Sequence, residues 1–134
     1  MSLTESCIAA MVAATSLAVA LPALTRTMDI YKLQSAASGV AATLHSARIT
    51  AINRNRDCRV TVTSATTYGI ECDEGSWQRV QTFTMPARIT IEANARPEFH
   101  RRGNVSPTAT LTVRNPSGSL RRVIVNVNGR VRIQ

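Results

Sequence analysis

The amino-terminal stretch of this chain is uncharged, apolar and long enough to span a lipid bilayer. Ser6 to Thr25 is 20 residues, or ~30 Å as a helix, which is about the hydrocarbon thickness of a membrane. Glu5 precedes the stretch and Arg26 follows it. A carboxylate at such an edge is costly unless it is protonated or paired. The sequence therefore predicts an apolar helix whose Glu5 needs a partner.

Two ordinary explanations compete for this stretch. A secretory signal peptide carries positive charge before its apolar core and ends in a small-residue cleavage site. Here the preceding charge is negative, and Pro22 leads into more helix-compatible sequence. A simple membrane anchor stays open as an alternative. The abundance of Ala and Ser indicates packing against other helices as well as lipid.

The helical pattern continues beyond Arg26 to about residue 55. Apolar residues recur there at spacings of three and four, which is typical of one buried stripe on a helix. The stripe consists of Ile30, Leu33, Ala37, Val40, Leu44, Ala47 and Ala51. We expect one long helix, apolar all round in its first half, with a bend caused by Pro22. Two helices separated near Pro22 are the alternative.

Beyond the helix the pattern changes to the period of two that is typical of strands. Runs rich in Val, Ile and Thr predict short antiparallel strands, and they read "CRVTVTS", "TYGIEC", "WQRVQTFT", "ARITIEA", "ATLTVR" and "RRVIVNV". Residues 115–118 and 128–129 are turn signals, and residues 94–108 are expected to hold one short strand and a loop. The fold class is therefore α+β, with the helix covering one face of an antiparallel sheet.

The chain is strongly basic, and its basic residues are nearly all arginines. The formal net charge is +8, and 15 of the 16 basic residues are Arg. Such a field favours polyanions, although it also fits solubility or pairing with acidic neighbours. On a strand, Arg130 and Arg132 face one side, with guanidinium groups ~7 Å apart, a match for successive phosphates. Arg121 and Arg122 are expected to widen this nucleic-acid-binding patch; a merely solvated strand face is the alternative.

Two of the three cysteines flank a strand-like run. We expect Cys58 and Cys72 to form a disulfide that closes a hairpin and contributes on the order of 3 kcal/mol, as in an oxidising compartment. A metal pair is the less favoured alternative, because no further Cys or paired His stands at ligand spacing. Cys7 lies in the apolar stretch and is expected to act as a small hydrophobe.

Signals of catalysis are missing from the sequence. His45 and His100 have no nucleophile or orienting carboxylate at a recognisable spacing. No glycine-rich phosphate loop or zinc-ligand pair is present. Trp77 is expected to anchor the core. We predict a protein that is not an enzyme and that needs no cofactor and no metal.

The amino-terminal segment resembles that of mature type IV pilins and pseudopilins. The resemblance rests on Glu5 as the fifth residue, on the ~20 apolar residues after it, and on Pro22. It implies that Met1 is the first residue left after a prepilin peptidase removes a leader, and that its amine is methylated. It further implies that Glu5 pairs with the amine of Met1 in a neighbouring subunit, which offsets the cost of burying both charges.

The rest of the chain is similar to the GspH/FimT branch of this family. The similarity is carried by "LHSARITAINRNRDCRVTV", Trp77, "FHRRGNV" and "VIVNVNGRVRIQ". It implies a pilin-like fold, with residues 1–25 as the membrane and filament-core helix and residues 26–134 as the globular pilin domain. Some FimT-like members end similarly in Gly-Arg-x-Arg, a motif associated there with DNA capture in natural transformation.

The resemblance implies a structural subunit of a type IV pilus-like filament. Its expected partners are copies of itself, other pilins and the prepilin peptidase, with DNA as a further partner if the arginine patch binds nucleic acid. It would span the inner membrane once before assembly and then lie in an extracellular or periplasmic filament of a bacterium. The alternatives are a FimT-like minor pilin that binds DNA for uptake and a GspH-like minor pseudopilin of type II secretion.

Overall fold

The computed structural model describes residues 2–134 and divides the chain into two compact units. The first unit ends at Tyr31, and the second is Lys32–Gln134. A single α-helix, α1 (Leu3–Arg54), belongs to both and contains Pro22. Because α1 continues through this proline, the alternative of two helices separated there is wrong. The bend expected at Pro22 stays a prediction.

The amino-terminal unit buries none of its apolar side chains. Every described side chain from Ser2 to Met28 is exposed. The exposed set includes Leu3, Ile8, Met11, Val12, Leu17, Val19, Leu21 and Leu24. This part of α1 is thus apolar all round, as predicted, and it has no hydrophobic partner within its own unit.

The carboxy-terminal unit contains eight strands after α1. They are β1 (Cys58–Val62), β2 (Thr67–Asp73), β3 (Trp77–Thr84), β4 (Thr90–Ala93), β5 (Glu98–Phe99), β6 (Ala109–Arg114), β7 (Leu120–Val125) and β8 (Val131–Ile133). Each strand-like run of the sequence forms a strand, and the predicted short strand between residues 94 and 108 is β5. All neighbouring strands pair antiparallel, which confirms the predicted α+β, pilin-like class.

The strands form two sheets of four rather than one. The first sheet has the order β3-β2-β1-β5, and the second has the order β4-β6-β7-β8. The chain crosses to the second sheet at β4, returns for β5 and crosses again at β6. A two-residue strand such as β5 carries too little periodicity to show this exchange in the sequence.

The core of the carboxy-terminal unit lies between α1 and the inner faces of the strands. The predicted helix stripe is buried from Leu33 to Ala51, whereas Ile30 is exposed. Strand residues that join the same cluster include Val60, Ile70, Phe99, Leu111, Val113, Val123 and Val125. Burial of this amphipathic face is what fixes the second half of α1 on the strands.

Trp77 is not the core anchor that the sequence predicts. Its ring is partly exposed at the start of β3, and the guanidinium carbon of Arg59 lies 4.1 Å from the ring centroid. A cation held over an indole face is a favourable stack. Trp77 therefore packs beneath an arginine at the surface of the first sheet.

Candidate assembly helix and arginine face

Glu5 takes part in a capping box at the start of α1. Its Oε2 accepts a hydrogen bond from the backbone N–H of Ser2 at 3.1 Å, and the Ser2 hydroxyl accepts from the N–H of Glu5 at 3.4 Å. Such reciprocal bonds satisfy backbone donors that the first turn of a helix leaves free. The Ser-x-x-Glu spacing was a signal for this cap that the sequence analysis missed.

The capping box leaves part of the Glu5 carboxylate free for another donor. Only Oε2 is used in the cap, and Oε1 accepts no hydrogen bond from residues 2–134. The side chain is exposed. Met1, the predicted amine partner from a neighbouring subunit, lies outside the described residues. Pairing of Glu5 with that amine therefore stays a prediction.

The helix that begins with this cap is long and apolar enough to cross a membrane. By length and composition it is the one such helix within residues 2–134, and none of its most apolar 18-residue stretch is buried. An apolar helix exposed on all sides favours a lipid or a helix-lined environment. The amino-terminal unit is therefore suited to insertion into a membrane or to packing against other apolar helices.

Four arginines lie on the outer face of the second sheet. The register pairs Thr112 with Arg122 and Ile124 with Arg132. Since side chains alternate along a strand, Arg122 and Arg132 are diagonal neighbours, with Arg130 beyond the edge of β8. Arg114 is diagonal to Arg122 on the other side. We call the set Arg114, Arg122, Arg130 and Arg132 the arginine face.

The arginine face is not neutralised by acidic partners. All four side chains are exposed, and none forms an ion pair within the described part of the chain. Among residues 2–134, Glu92, which lies across from Thr112, is the one acidic side chain that the register places on this side of the second sheet. The face can therefore bind a polyanion through guanidinium–phosphate contacts.

Arg121 does not belong to the arginine face, which corrects the predicted patch. It shares the inner side of β7 with Val123 and Val125, and its Nε donates to Oε1 of Gln34 on α1 at 3.1 Å. The period of two in the β7 sequence carried this information, because two adjacent arginines on a strand cannot face the same side.

Gly129 has a packing role as well as a turn role. Its φ is +78°, and its N–H donates to the carbonyl of Asn126 at 2.9 Å. A Cβ at Gly129 would lie 2.5 Å from the carbonyl oxygen of Gly103 and 2.8 Å from Nε of Arg48. Arg48 itself donates from Nε to that carbonyl at 3.1 Å. The turn before β8 is thus held against α1 by a side chain that leaves room only for glycine.

Cys58 and Cys72 are bonded to each other. The two residues face each other across β1 and β2, and their sulfur atoms are 2.03 Å apart. Cys7 is a free, exposed thiol in the amino-terminal unit. The disulfide links β1 to β2, the two strands of the hairpin that follows α1, and both cysteines are buried in the core.

A network around Glu71 on the outer face of the first sheet was not predicted. The register places Glu71 opposite Arg59 and Arg79. Glu71 Oε2 accepts from Arg59 Nε at 2.8 Å and from Thr61 at 3.2 Å, and Oε1 accepts from Arg79 at 2.9 Å. Burial raises the pKa of Glu71, but the hydrogen bonds from Arg59 and Arg79 outweigh burial and leave the pKa below its usual value.

Glu71→Gln is expected to destabilise the protein by about 1–2 kcal/mol at pH 7, because two arginines lose a partly buried anion. A carboxyl with a lowered folded-state pKa stabilises above its ordinary pKa of about 4.3 and loses that contribution as pH falls through the folded value. Urea unfolding at pH 7 and pH 3 tests both points. The difference between parent and variant should shrink at pH 3, while exposed Glu92→Gln should stay near the parent at both pH values.

His100 lies beside two carboxylates rather than in isolation. Its Nδ1 is 3.5 Å from Oδ1 of Asp57 and 3.9 Å from Oε1 of Glu98. His45 is exposed on α1. This cluster was not predicted from the sequence, because Asp57 and Glu98 are brought together only by the pairing of β1 with β5.

Comparison with known proteins identifies the family. The family model described as type II transport protein GspH matches residues 36–129. This match begins in the second half of α1 and ends at Gly129, so it covers most of the carboxy-terminal unit. No curated protein sequence matches the chain.

Several solved structures share the fold. The type IV minor pilin FimU of Pseudomonas aeruginosa aligns over 76% of this chain and 92% of its own, with 17% identity and a TM-score of 0.63. The minor pseudopilin EpsH from the type 2 secretion system of Vibrio cholerae aligns over 77% and 96%, with 16% identity and a TM-score of 0.66. GspH of E. coli aligns over 78% and 88%, with 10% identity and a TM-score of 0.66.

These likenesses establish the fold, and the family model establishes the family. The match over residues 36–129 covers well over half of the chain. The TM-scores of 0.63 to FimU and 0.66 to EpsH show that the chain shares the fold of these solved structures. The chain therefore belongs to the GspH family of type II transport proteins and has the fold of type IV pilins and pseudopilins.

Proposed function

We propose that the chain polymerises through its amino-terminal helix, with Glu5 paired to the terminal amine of a neighbouring subunit. Membership of the GspH family makes it a subunit of a type IV pilus-like or type II secretion filament. The observation that carries the assembly proposal is the exposure of every described side chain up to Met28. A filament core of packed helices would cover this apolar surface, and the membrane would cover it before assembly.

Removal of Glu5 from water needs a compensating cation. In a helix bundle the carboxylate would lose its hydration, and an unpaired buried charge is strongly unfavourable. Its Oε1 is free of intrachain hydrogen bonds among residues 2–134, while Oε2 is held by the capping box. The amine of a neighbouring subunit is the cation that every identical subunit supplies, and prepilin peptidase would generate it.

Affinity tagging of the chain and recovery of sheared surface or periplasmic filaments test the assembly proposal. The tagged chain should copurify with the filaments. When the filaments are dissociated, the released chain should need detergent to stay in solution. The proposal would be contradicted if the tagged chain were found only in the membrane fraction while the same cells produced filaments that lack it. Counting the subunit along imaged filaments then separates a copy-rich pilin from a minor one.

A second function, capture of DNA, is favoured by the arginine face. Its four exposed arginines lack ion-pair partners among the described residues. Phosphate contacts of this kind position a nucleic acid without reading its sequence. A minor pilin with this face at a filament tip would bind double-stranded DNA without sequence preference.

The double variant Arg122→Ala/Arg132→Ala is expected to weaken DNA binding by roughly tenfold per arginine removed. The slope of log K against log salt should fall by about two, since two phosphate contacts are lost. Fluorescence anisotropy with a labelled duplex at several salt concentrations measures both quantities. Arg121→Ala is the matched control, because Arg121 lies on the opposite side of the same strand. Equal losses in the control, or no binding by the parent at low salt, would exclude capture by this face.

A further inference from the structure

We propose that Asp57, Glu98 and His100 bind one divalent transition-metal ion, and that Zn²⁺ is the ion that their donors fit best. All three residues belong to the carboxy-terminal unit and lie together on the outer face of the first sheet, where β1 pairs with β5. The cluster offers one imidazole nitrogen and two carboxylates. We call it the Asp–Glu–His cluster.

The geometry of the cluster is close to that of a coordination shell. His100 Nδ1 lies 3.5 Å from Asp57 Oδ1 and 3.9 Å from Glu98 Oε1, and the three ligand atoms are all within 4.8 Å of one another. Around a tetrahedral zinc with bonds of about 2.1 Å, donor atoms are about 3.4 Å apart. Rotamer adjustments well short of a backbone movement would therefore close the three donors on an ion.

The backbone of the cluster is fixed on each side. Asp57 precedes Cys58, which is bonded to Cys72 and paired with the fully buried Phe99. The carbonyl of Asp57 accepts from the N–H of Asp73 at 2.9 Å, and the carbonyl of Glu98 accepts from Ser106 at 3.1 Å. The backbone carbonyl of His100 accepts a hydrogen bond from the N–H of Gly103 at 2.8 Å. Preorganised donors of this kind lose little conformational freedom when a ligand binds.

Charge gives an independent reason for a cation at the cluster. Glu71 and Glu74 each form ion pairs with two arginines, as expected in a chain of net charge +8. Asp57 and Glu98, in contrast, have His100 as their only ion-pair partner within residues 2–134. The carboxylates of Asp57 and Glu98 carry like charges and repel each other. A divalent ion would balance both charges.

The arginine that lies opposite Glu98 in the sheet makes its contacts with other residues. The register places Arg59 directly opposite Glu98, yet its Nε donates to Glu71 at 2.8 Å and its guanidinium lies over Trp77. Arg59 therefore forms no ion pair with Glu98 within residues 2–134. The side chain of Glu98 is 27% exposed and that of His100 is 31% exposed, which admits an ion and leaves positions for water.

The mixture of donors selects among metals. Imidazole suits Zn²⁺, Ni²⁺ and Cu²⁺, whereas Ca²⁺ and Mg²⁺ take oxygen donors. Zn²⁺ accepts nitrogen and carboxylate oxygen together and tolerates a fourth water ligand. Bound metal would tie the connection between α1 and β1 to the loop after β5, so binding would stabilise the carboxy-terminal unit.

Titration of the full-length chain in detergent with ZnCl₂, after chelator treatment and dialysis, tests the proposal. Calorimetry should give one Zn²⁺ per chain, and zinc at 100-fold above Kd should raise Tm by on the order of 10 °C. His100→Ala and Asp57→Asn should each weaken binding at least tenfold. The matched controls His45→Ala and Glu92→Gln should bind as the parent does.

Imidazole ¹⁵N NMR of the parent protein reports zinc binding at His100 directly. It therefore tests the proposal even if a variant fails to fold. Stoichiometric Zn²⁺ should shift the Nδ1 resonance of His100 and leave the resonances of His45 in place. Absence of zinc binding would overturn the proposal, and so would binding that persists undiminished in His100→Ala. Several weak zinc ions per chain with an unmoved His100 Nδ1 would show adsorption elsewhere and would also overturn it.

Discussion

Glu5→Ala is expected to leave the carboxy-terminal unit folded and to abolish incorporation of the chain into filaments. Removing one member of a buried ion pair leaves an uncompensated charge, which costs about 3–5 kcal/mol. A loss of that size lowers the affinity of a subunit for the filament end by roughly two to four orders of magnitude. Quantitative immunoblotting of sheared filaments against total membrane protein measures the effect, and near-ultraviolet circular dichroism of the purified variant checks folding.

The capping box requires two matched variants for this experiment. Glu5→Gln keeps a side-chain oxygen that can accept from the N–H of Ser2 but removes the charge, because Gln also fits a capping box. Ser2→Ala removes the hydroxyl of the cap and retains the carboxylate. If charge pairing drives assembly, Glu5→Gln should fail and Ser2→Ala should assemble. The reverse pattern would assign Glu5 to helix capping alone.

Gly129→Ala is expected to destabilise the carboxy-terminal unit by roughly 3 kcal/mol or more. A positive φ costs a non-glycine residue about 1–2 kcal/mol, and forcing a Cβ into a filled space costs typically 1–3 kcal/mol. Both costs apply, since φ is +78° and the added carbon would meet a backbone oxygen at 2.5 Å. The free energy of unfolding, from urea titration of the full-length chain in detergent, is the quantity to compare.

Gly118→Ala separates the two costs of the Gly129 substitution. Gly118 has a φ of +89°, but an added Cβ there would meet nothing within 4 Å. We expect a loss of only about 1 kcal/mol from its backbone conformation. Equal losses for the two variants would mean that Arg48 and the carbonyl of Gly103 do not confine the turn before β8.

The features that the sequence predicted are those that depend on local periodicity. The stripe from Leu33 to Ala51 has helical spacing and is buried as predicted. The Val, Ile and Thr runs form strands because alternation places one face inward. Family membership followed from the position of Glu5 and Pro22 relative to an apolar stretch, together with motifs near the carboxyl terminus.

Features that depend on pairing between distant segments were not predicted. The return of the chain to the first sheet rests on the two-residue strand β5, whose sequence is too short to show alternation. The bonds from Arg59 and Arg79 to Glu71 depend on register across three strands. A shift of one residue would move each side chain to the other face, and no local pattern specifies that register.

The arginine face combines features that local periodicity predicts with features that depend on strand pairing. The common face of Arg130 and Arg132 was predicted from alternation along the last strand, and Arg122 was predicted to widen the patch. The pairing of β7 with β8 adds the register that makes Arg122 a diagonal neighbour of Arg132. The inward position of Arg121 was available from the same alternation, since Val123 and Val125 mark the buried side of β7. That error came from treating adjacent arginines as one group.

A density map of the assembled filament is the most direct test of the central claim that the apolar helix polymerises with its acid neutralised by the next chain. We predict helices bundled along the filament axis, with the carboxylate of Glu5 within hydrogen-bonding reach, ~3 Å, of the amino terminus of an adjoining subunit. A map in which this carboxylate lies far from every adjoining amine would contradict the claim.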